Sequence, residues 1–313
     1  MISRRHLRSK ALQAIYAYFQ SHNTNVESGE KELLYSIQKI YELYLYQISF
    51  VVELFEYARA SAEEAKKKHL PTADDLNPNP QLANNLFIQK INHLNIHPIF
   101  EKNHIHWTED KSLIRKIYDT ISEEDKKNKN WSDENSFSFE KDKEFVIRIY
   151  ENYILPSDLF DEHYEEKSIY WTDDLEIVNS MALKTLSFIN ENSIELNLIK
   201  NVFKNDDDKQ FVMSLFFKTI ENQHDYRNLI AEKTKNWEAD RIALIDMYIM
   251  LMAITEILHF PTIPVKVSIN EYIDISKRYS SQKSKLFVNG ILDTLAIDFK
   301  RQNKIMKDER GMA

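Results

Sequence analysis

Residues 244–258 read LIDMYIMLMAITEIL, a run that is apolar on nearly every side and is interrupted mainly by Asp246 and Glu256. A helix with one side in water carries a wide polar face, so this segment is predicted to lie in the middle of a helical bundle. Pro261 and Pro264 then force a turn. Residues 268–271 read SINE, the pattern of a capping box, which predicts that the next helix begins at Ser268.

A last helix is predicted after residues 280–285, because apolar side chains recur at helical spacing from Phe287 to Phe299. Gly290 lies inside this pattern, although a glycine within a helix costs about 1 kcal/mol relative to alanine. We therefore expect another part of the structure to approach the backbone closely at Gly290. Lys283 and Lys285 precede the helix and are predicted to lie in an exposed loop.

The composition favours an all-α fold. The 313 residues include three glycines, seven prolines and no cysteine. Few glycines mean few tight turns, so long helices joined by short connections are favoured over a sheet of many strands. The lack of cysteine excludes disulfides, thiolate catalysis and thiolate metal sites, and is typical of the cytoplasm, where we expect the protein to act. No stretch has the length and apolarity of a membrane span.

The first helix is predicted at residues 3–21, and its beginning is basic. Arg4 and Arg8 fall on the same arc of the helical wheel as Ile15, with Arg5 and Tyr16 beside that arc. Cations at a helix N-terminus oppose the helix dipole, so their presence favours a bound anion. Pairing of the arginines with the chain's own carboxylates explains the pattern equally well. The formal net charge of −8 does not argue against an anionic ligand, because residues 119–174 hold 17 acidic and 7 basic side chains.

Residues 24–204 are predicted to be mostly helical, with one very long helix or two in line at about 30–70 and a linker at 77–80. Residues 122–135 are predicted to be mobile, and residues 301–313 form a polar tail. Four histidines between 93 and 106 suggest a metal site, but Pro98 interrupts them and Glu101 is the only nearby acid. We predict no metal and no cofactor. The chain also lacks a glycine-rich phosphate loop, a Gly-x-Ser-x-Gly elbow and an HExxH motif, so we do not expect an enzyme.

Several ordered blocks resemble the C-terminal half of the NusB family of bacterial transcription antitermination factors. They are Trp237 with Asp240-Arg241, Asp246 with Ala253 and Glu256–Leu258, PVKVSINE at 264–271, and KSKLFVNGILD at 283–293. The opening RRHLRSKALQAIY at 4–16 is similar to the family's start. The resemblance implies a NusB-like antiparallel helical bundle made of residues 1–23 and 205–300. Residues 24–204 are then a helical insertion of unknown role.

The resemblance also implies a function in binding RNA. NusB proteins bind the boxA element of ribosomal leader transcripts together with NusE, a ribosomal small-subunit protein, and join the other Nus factors on RNA polymerase to support processive transcription of ribosomal RNA operons. Single-stranded RNA is recognised by cations beside exposed aromatic rings. The RNA-contact residues carried over to this chain are Arg4, Arg5, Arg8, Lys10, Tyr16, Lys283, Lys285 and Phe287. Phe287 is equally compatible with a place in the core.

Asp246 and Glu256 match acidic positions of the family and are candidates for an interface with the basic partner NusE. Internal salt bridges or helix caps are the favoured alternative for both. Met247 and Leu251 stand where the family often has arginine, so any contact made by those arginines is in doubt.

Two other functions remain to be weighed. A helical scaffold that binds proteins and has lost RNA contact is the main rival. An RNA cytosine methyltransferase carrying a NusB-like domain is nearly excluded, because it needs a catalytic cysteine and a glycine-rich cofactor domain. Self-association, including a homodimer, stays open.

Overall fold

The computed structural model describes residues 1–22, 24–128, 138–199, 201–234 and 242–308. Over these ranges the chain is helical and contains no strand, which confirms the predicted all-α class. The helices of the first half are α1 (Arg4–Gln20), α2 (Val26–Lys66), α3 (Ala73–Leu76), α4 (Pro80–Ala83), α5 (Leu86–His93), α6 (His97–Lys102), α7 (Lys111–Asn128) and α8 (Phe139–Ile149). Those of the second half are α9 (Asp158–Lys167), α10 (Leu175–Phe188), α11 (Asp206–Glu221), α12 (Gln223–Lys233), α13 (Leu244–His259), α14 (Val265–Tyr279) and α15 (Gln282–Arg301).

Two shorter elements complete the described chain. Tyr150–Ile154 form a π-helix directly after α8, and Ile169–Trp171 form a 3-10 turn. Within the described ranges, every helix is too short or too polar to cross a bilayer.

The chain forms two compact units, which are described separately. Residues 2–37 and 203–313 make up one, here called the bundle unit, and residues 38–202 make up most of the other, the central unit. The boundaries lie at 37/38 and 202/203, whereas the sequence prediction placed them at 23/24 and 204/205. The first boundary falls inside α2, because α2 continues as one helix from residue 26 to residue 66.

Helix α13 is the core of the bundle unit. Its residues Tyr248 to Ile257 are all buried, and it packs against α1, α11, α12, α14 and α15. The all-round apolar pattern thus correctly predicts a helix surrounded by others. Trp237, Asp240 and Arg241, which contributed to the resemblance, lie outside the described residues.

Helix α14 begins earlier than the capping-box pattern predicts. Its first residue is Val265, which follows Pro264, so Ser268 is already within the helix and is buried. The predicted cap at Ser268 is therefore wrong. Its hydroxyl donates instead to a carboxylate oxygen of Glu256 at 2.8 Å.

Helix α15 also begins earlier than predicted, at Gln282, with the side chain of Ser281 accepting a hydrogen bond from the Ser284 amide at 3.2 Å. The expectation of a close approach at Gly290 is wrong for the described part of the chain. Apart from its two chain neighbours and the nearby backbone of α15 itself, a Cβ built on Gly290 meets no described atom within 4 Å, and the residue is exposed.

Replacing Gly290 by alanine is accordingly expected to stabilise the protein. The new methyl group has room, and alanine is favoured over glycine in a helix by about 1 kcal/mol. Urea unfolding followed by circular dichroism should show the free energy of unfolding rising by about 0.5–1 kcal/mol. A loss of stability would mean that the space at Gly290 is occupied in solution.

Aromatic side chains dominate the core of the central unit. The Phe50 ring lies 4.7 Å from Phe160 and 5.1 Å from Trp107 between centroids, and Tyr46 lies 5.4 Å from Trp171. The Trp107 indole donates to the Ser49 hydroxyl at 2.9 Å, so its buried N–H is satisfied. Tyr46, Ser49 and Phe50 of α2 therefore contribute to the packing of this unit.

The mobility of residues 122–135 stays a prediction. Residues 122–128 form the last turns of α7. Residues 129–135 lie outside the described residues.

Candidate nucleic-acid interface

The N-terminus of α1 presents cations without any acid in its first turn. Ser3 caps the helix by accepting a hydrogen bond from the His6 amide at 3.4 Å. Arg4 and Arg5 follow at once, and Arg8 lies one turn further along. All three arginines have carboxylate partners within the bundle unit, but the three environments differ.

Arg8 is the most deeply buried of the three, with a side chain that is 4 % exposed. Its Nε and Nη2 atoms donate to the two carboxylate oxygens of Glu256, each at 2.8 Å. Glu256 is 0 % exposed and also accepts from the hydroxyls of Ser268, at 2.8 Å, and Tyr272, at 3.1 Å. Burial alone lowers the pKa of Arg8, but the hydrogen bonds and charge of Glu256 outweigh it and raise that pKa above its ordinary value.

This network corrects two predicted roles. Arg8 is not an RNA contact in this structure, because its guanidinium is inside the bundle and is bonded to Glu256. Glu256 cannot contact NusE, because it is fully buried and its carboxylate oxygens accept hydrogen bonds from within the protein. The favoured alternative, an internal salt bridge, describes Glu256 correctly.

Two further predicted site residues are also buried. Lys10 is 2 % exposed, which removes its ammonium group from the surface that an RNA could reach. Asp246 is 4 % exposed, so it is not available to NusE either. Asp246 lies in the first turn of α13, where the helix dipole stabilises a negative charge, and its Oδ1 has no hydrogen-bond partner among the described residues.

Arg4 occupies an intermediate position. Its Nε donates to Oδ1 of Asp208 at 2.7 Å, and its side chain is 37 % exposed. The guanidinium carbon lies 4.9 Å from the centroid of the Phe211 ring, within the range of a cation–π contact. Arg4 therefore joins α1 to α11 while part of its guanidinium stays in water.

Arg5 is the arginine that faces solvent, with a side chain that is 59 % exposed. Its Nε and Nη2 donate to Glu271 on α14 at 3.0 and 2.8 Å, and Nη2 also lies 3.2 Å from Oδ2 of Asp274. The hydrogen bonds and charge of Glu271 raise the pKa of Arg5. Since the pairs are exposed, they contribute only about 0–1 kcal/mol each and can be exchanged for other partners.

The two lysines predicted in a loop belong instead to the first turn of α15, because that helix begins at Gln282. Lys283 is exposed and Lys285 is half-buried. Lys277, at the end of α14, donates to Oδ1 of Asp274 at 2.5 Å. That hydrogen bond is the largest cause of the lowered pKa of Asp274, and the charges of Arg5 and Lys285 lower it further, against the effect of burial.

Asp274 thus lies among cations from three helices: Arg5 of α1, Lys277 of α14 and Lys285 of α15. We call these four residues the Asp274 cluster. The cluster brings together Arg5, from the arginine-rich beginning of the chain, and Lys285, from the first turn of the closing helix. The Gln13 amide donates to the Tyr279 hydroxyl at 3.3 Å, a second contact between α1 and the end of α14.

The two predicted aromatic contacts are partly accessible. Tyr16 is 39 % exposed and lies edge-on to Tyr248, with ring centroids 5.9 Å apart. Phe287 is half-buried, so neither of its two predicted roles is excluded by its exposure.

A cavity of about 490 Å³ lies between the N-termini of α1 and α14. Its lining residues are Ser3, Arg4, Arg5, Arg8, Thr262, Ile263, Pro264, Val267 and Glu271. The charged residues of this lining are already paired within the protein, Arg5 with Glu271 and Arg8 with Glu256. Across the described ranges, no group of three or more His, Asp or Glu side chains is placed to hold a metal ion.

Sequence reasoning missed the carboxylates of α14. Glu271 and Asp274 are one turn apart on the same face of the helix, and together they bind Arg5. The spacing of these acids, with Lys277 three residues after Asp274, was the signal that the face carries charge. Their pairing with α1 was not visible, because it joins residues more than 260 positions apart.

Comparison with known proteins finds a family match in the second part of the chain. Residues 172–296 match the NusB family. The match starts within the segment predicted as an insertion and does not include the N-terminal helix. Across the curated proteins, relatives named transcription antitermination protein NusB are 43 % identical over 104 residues in Chloroherpeton thalassium and 39 % identical over 104 residues in Salinibacter ruber. A third, from Desulfatibacillum aliphaticivorans, is 38 % identical over 98 residues.

These alignments cover about a third of this chain: 33 % for the first two relatives and 31 % for the third. They cover 49 %, 65 % and 68 % of the respective relatives, so the chain spans about half of the first and just under two thirds of the second. No solved structure matches the chain. With its helical bundle, its family match and a relative aligned over more than two thirds of its length, this chain belongs to the NusB family.

Proposed function

We propose that this protein is a transcription antitermination factor that binds single-stranded boxA-type leader RNA. In this proposal it acts in the cytoplasm with the ribosomal protein NusE and with the other Nus factors on RNA polymerase. It supports processive transcription of ribosomal RNA operons. Family membership and the names of the aligned relatives support antitermination, while RNA and NusE binding extend that likeness to this chain.

The observation that carries the proposal is the convergence of an exposed cation, Arg5, and a half-buried one, Lys285, from separate helices. Arg5 forms an ion pair with Asp274, and the charges of Arg5 and Lys285 both lower the pKa of that carboxyl. Lys283 is exposed in the same helical turn as Lys285. Such a surface can neutralise successive phosphates of an unpaired strand, while Tyr16 and Phe287 are the candidates for stacking with its bases. Arg8 and Lys10 are left out of this surface because they are buried.

The salt dependence of RNA binding tests the electrostatic part of the proposal. With Arg4, Arg5, Lys283 and Lys285 as the available cations, three to four phosphates are neutralised, and log K against log salt should have a slope of about −2 to −3. The measurement is fluorescence anisotropy of labelled boxA RNA between low and moderate salt, with and without NusE. A slope near zero would contradict the proposal.

Substitutions can locate the surface. The double variant Arg5→Ala with Lys285→Ala is expected to weaken binding to boxA RNA roughly tenfold to thirtyfold, since two phosphate contacts are lost. The matched control is Lys300→Ala with Lys304→Ala, which removes two exposed cations at and just after the C-terminal end of α15. Equal losses in both variants would show that only net charge matters, and would contradict a site at Arg5 and Lys285.

One observation favours the rival function, a protein-binding scaffold with weak or no RNA contact. Arg4, Arg5 and Arg8 each have a carboxylate partner in the bundle unit, so their charges are partly or fully used within the protein. The scaffold predicts that NusE or another protein is retained on the full chain while boxA RNA shows no saturable binding. Retention of both ligands supports antitermination instead.

A further inference from the structure

We infer that Asp274 holds the place of an RNA phosphate in the free protein, so that binding exchanges a carboxylate for a phosphate. This inference rests on the proposed RNA-binding function and assigns to Asp274 the role of setting RNA affinity. Its basis is that the Asp274 carboxylate contacts Arg5 of α1 and Lys277 of α14. The charge of Lys285, on α15, lowers the pKa of the same carboxyl.

The geometry resembles that of an anion seated between cationic groups. The two oxygens of Asp274 point to different partners, Oδ2 to Arg5 at 3.2 Å and Oδ1 to Lys277 at 2.5 Å. Lys285 lies close enough for its charge to lower the pKa of the same carboxyl. Arginine and lysine groups that surround a carboxylate in this way also suit a phosphate, which offers more acceptor oxygens.

Exposure distinguishes Asp274 from the other carboxylate that binds Arg5. Glu271 has a side chain that is 17 % exposed, and it also lies 3.5 Å from Arg8, so it is part of the connection between α1 and the buried network. Asp274 is 36 % exposed and faces cations that are themselves accessible. An incoming phosphate can therefore displace Asp274 without opening the core.

Displacement has a consequence for counterions. A phosphate that takes over Arg5 and Lys285 leaves Asp274 with Lys277 as its remaining cation, and the partly freed carboxylate attracts a further cation from solution. This uptake cancels part of the cation release that drives RNA binding. Asp274 should therefore reduce both the affinity for RNA and the steepness of its salt dependence.

The test is Asp274→Asn in the full-length protein, with labelled boxA RNA as the probe. Affinity is expected to rise on the order of tenfold at low salt, because a like charge a few ångströms from the phosphate is removed. The slope of log K against log salt should become steeper by up to about 0.7, the value of one additional uncompensated contact on a single strand. Glu232→Gln is the matched control, since it removes an exposed charge on α12 of the same unit.

The outcomes separate the two claims. Tighter and steeper binding for Asp274→Asn, with Glu232→Gln unchanged from wild type, supports the exchange. If wild type binds boxA RNA and both variants shift equally, or Asp274→Asn does not shift, the exchange is wrong while the proposed function stands. If neither wild type nor Asp274→Asn binds, the exchange is overturned together with the proposed function.

Discussion

Replacing Arg8 by alanine is expected to lower the free energy of unfolding by about 3–5 kcal/mol, the usual effect of removing one partner of a buried ion pair. Glu256 would keep its hydrogen bonds from Ser268 and Tyr272 but would lose the cation that balances its charge. An ionised carboxylate that is fully buried without a cation is strongly unfavourable. Urea unfolding followed by far-ultraviolet circular dichroism measures the change.

Two further variants make this prediction specific. Arg4→Ala removes a partly exposed ion pair and is expected to lower stability by at most about 1 kcal/mol. The double variant Arg8→Met with Glu256→Leu replaces both charges by apolar groups and should regain part of the loss, since buried pairs are often replaceable in this way but the buried Ser268 and Tyr272 hydroxyls lose their acceptor. If Arg8→Ala were as mild as Arg4→Ala, the Arg8–Glu256 pair would not be buried in solution.

The second large effect is expected at Gly29, in the first part of α2. A Cβ built there would lie 2.8 Å from ring atoms of both Phe216 and Tyr18, closer than real Cβ contacts. Phe216 is fully buried and Tyr18 nearly so, which leaves the rings little room to move. Gly29→Leu is therefore expected to destabilise the protein by about 2–3 kcal/mol through overpacking, although leucine is the better helix former.

Thermal unfolding of Gly29→Leu beside Gly290→Leu provides the control for the second prediction. Both glycines are helical, so the gain from helix propensity is shared, but only Gly29 is in close contact with other helices. Gly290→Leu should be neutral or stabilising. A similar loss at both positions would show that the effect does not come from Phe216 and Tyr18.

The sequence was sufficient to predict the central helix and the class of fold. The segment around Met250 is apolar in every direction, and only the interior of a bundle suits such a helix. The start of α14 was predicted incorrectly because Ser268 has the chemistry of a cap. Its hydroxyl instead serves Glu256 through a tertiary contact that a local pattern cannot show.

The candidate site was predicted only in part, for a related reason. A helical wheel shows on which face of α1 Arg8 lies but not how deeply that face is buried. Glu256, one acid in a helix buried on all sides, was the available signal, because a buried carboxylate requires a cation or donors. Which cation it would be depended on the packing of α1 against α13, and this was outside the reach of periodicity.

Because the space around Gly290 is open, this position is suited to attaching a spectroscopic label. The chain has no cysteine, so Gly290→Cys would carry a unique thiol on an exposed helical surface where a side chain meets no steric obstacle. Lys283 is seven residues earlier on α15, roughly 10 Å along the helix axis. A nitroxide attached at this position would broaden the resonances of nearby nucleotides, and could map the path of a bound transcript across α15.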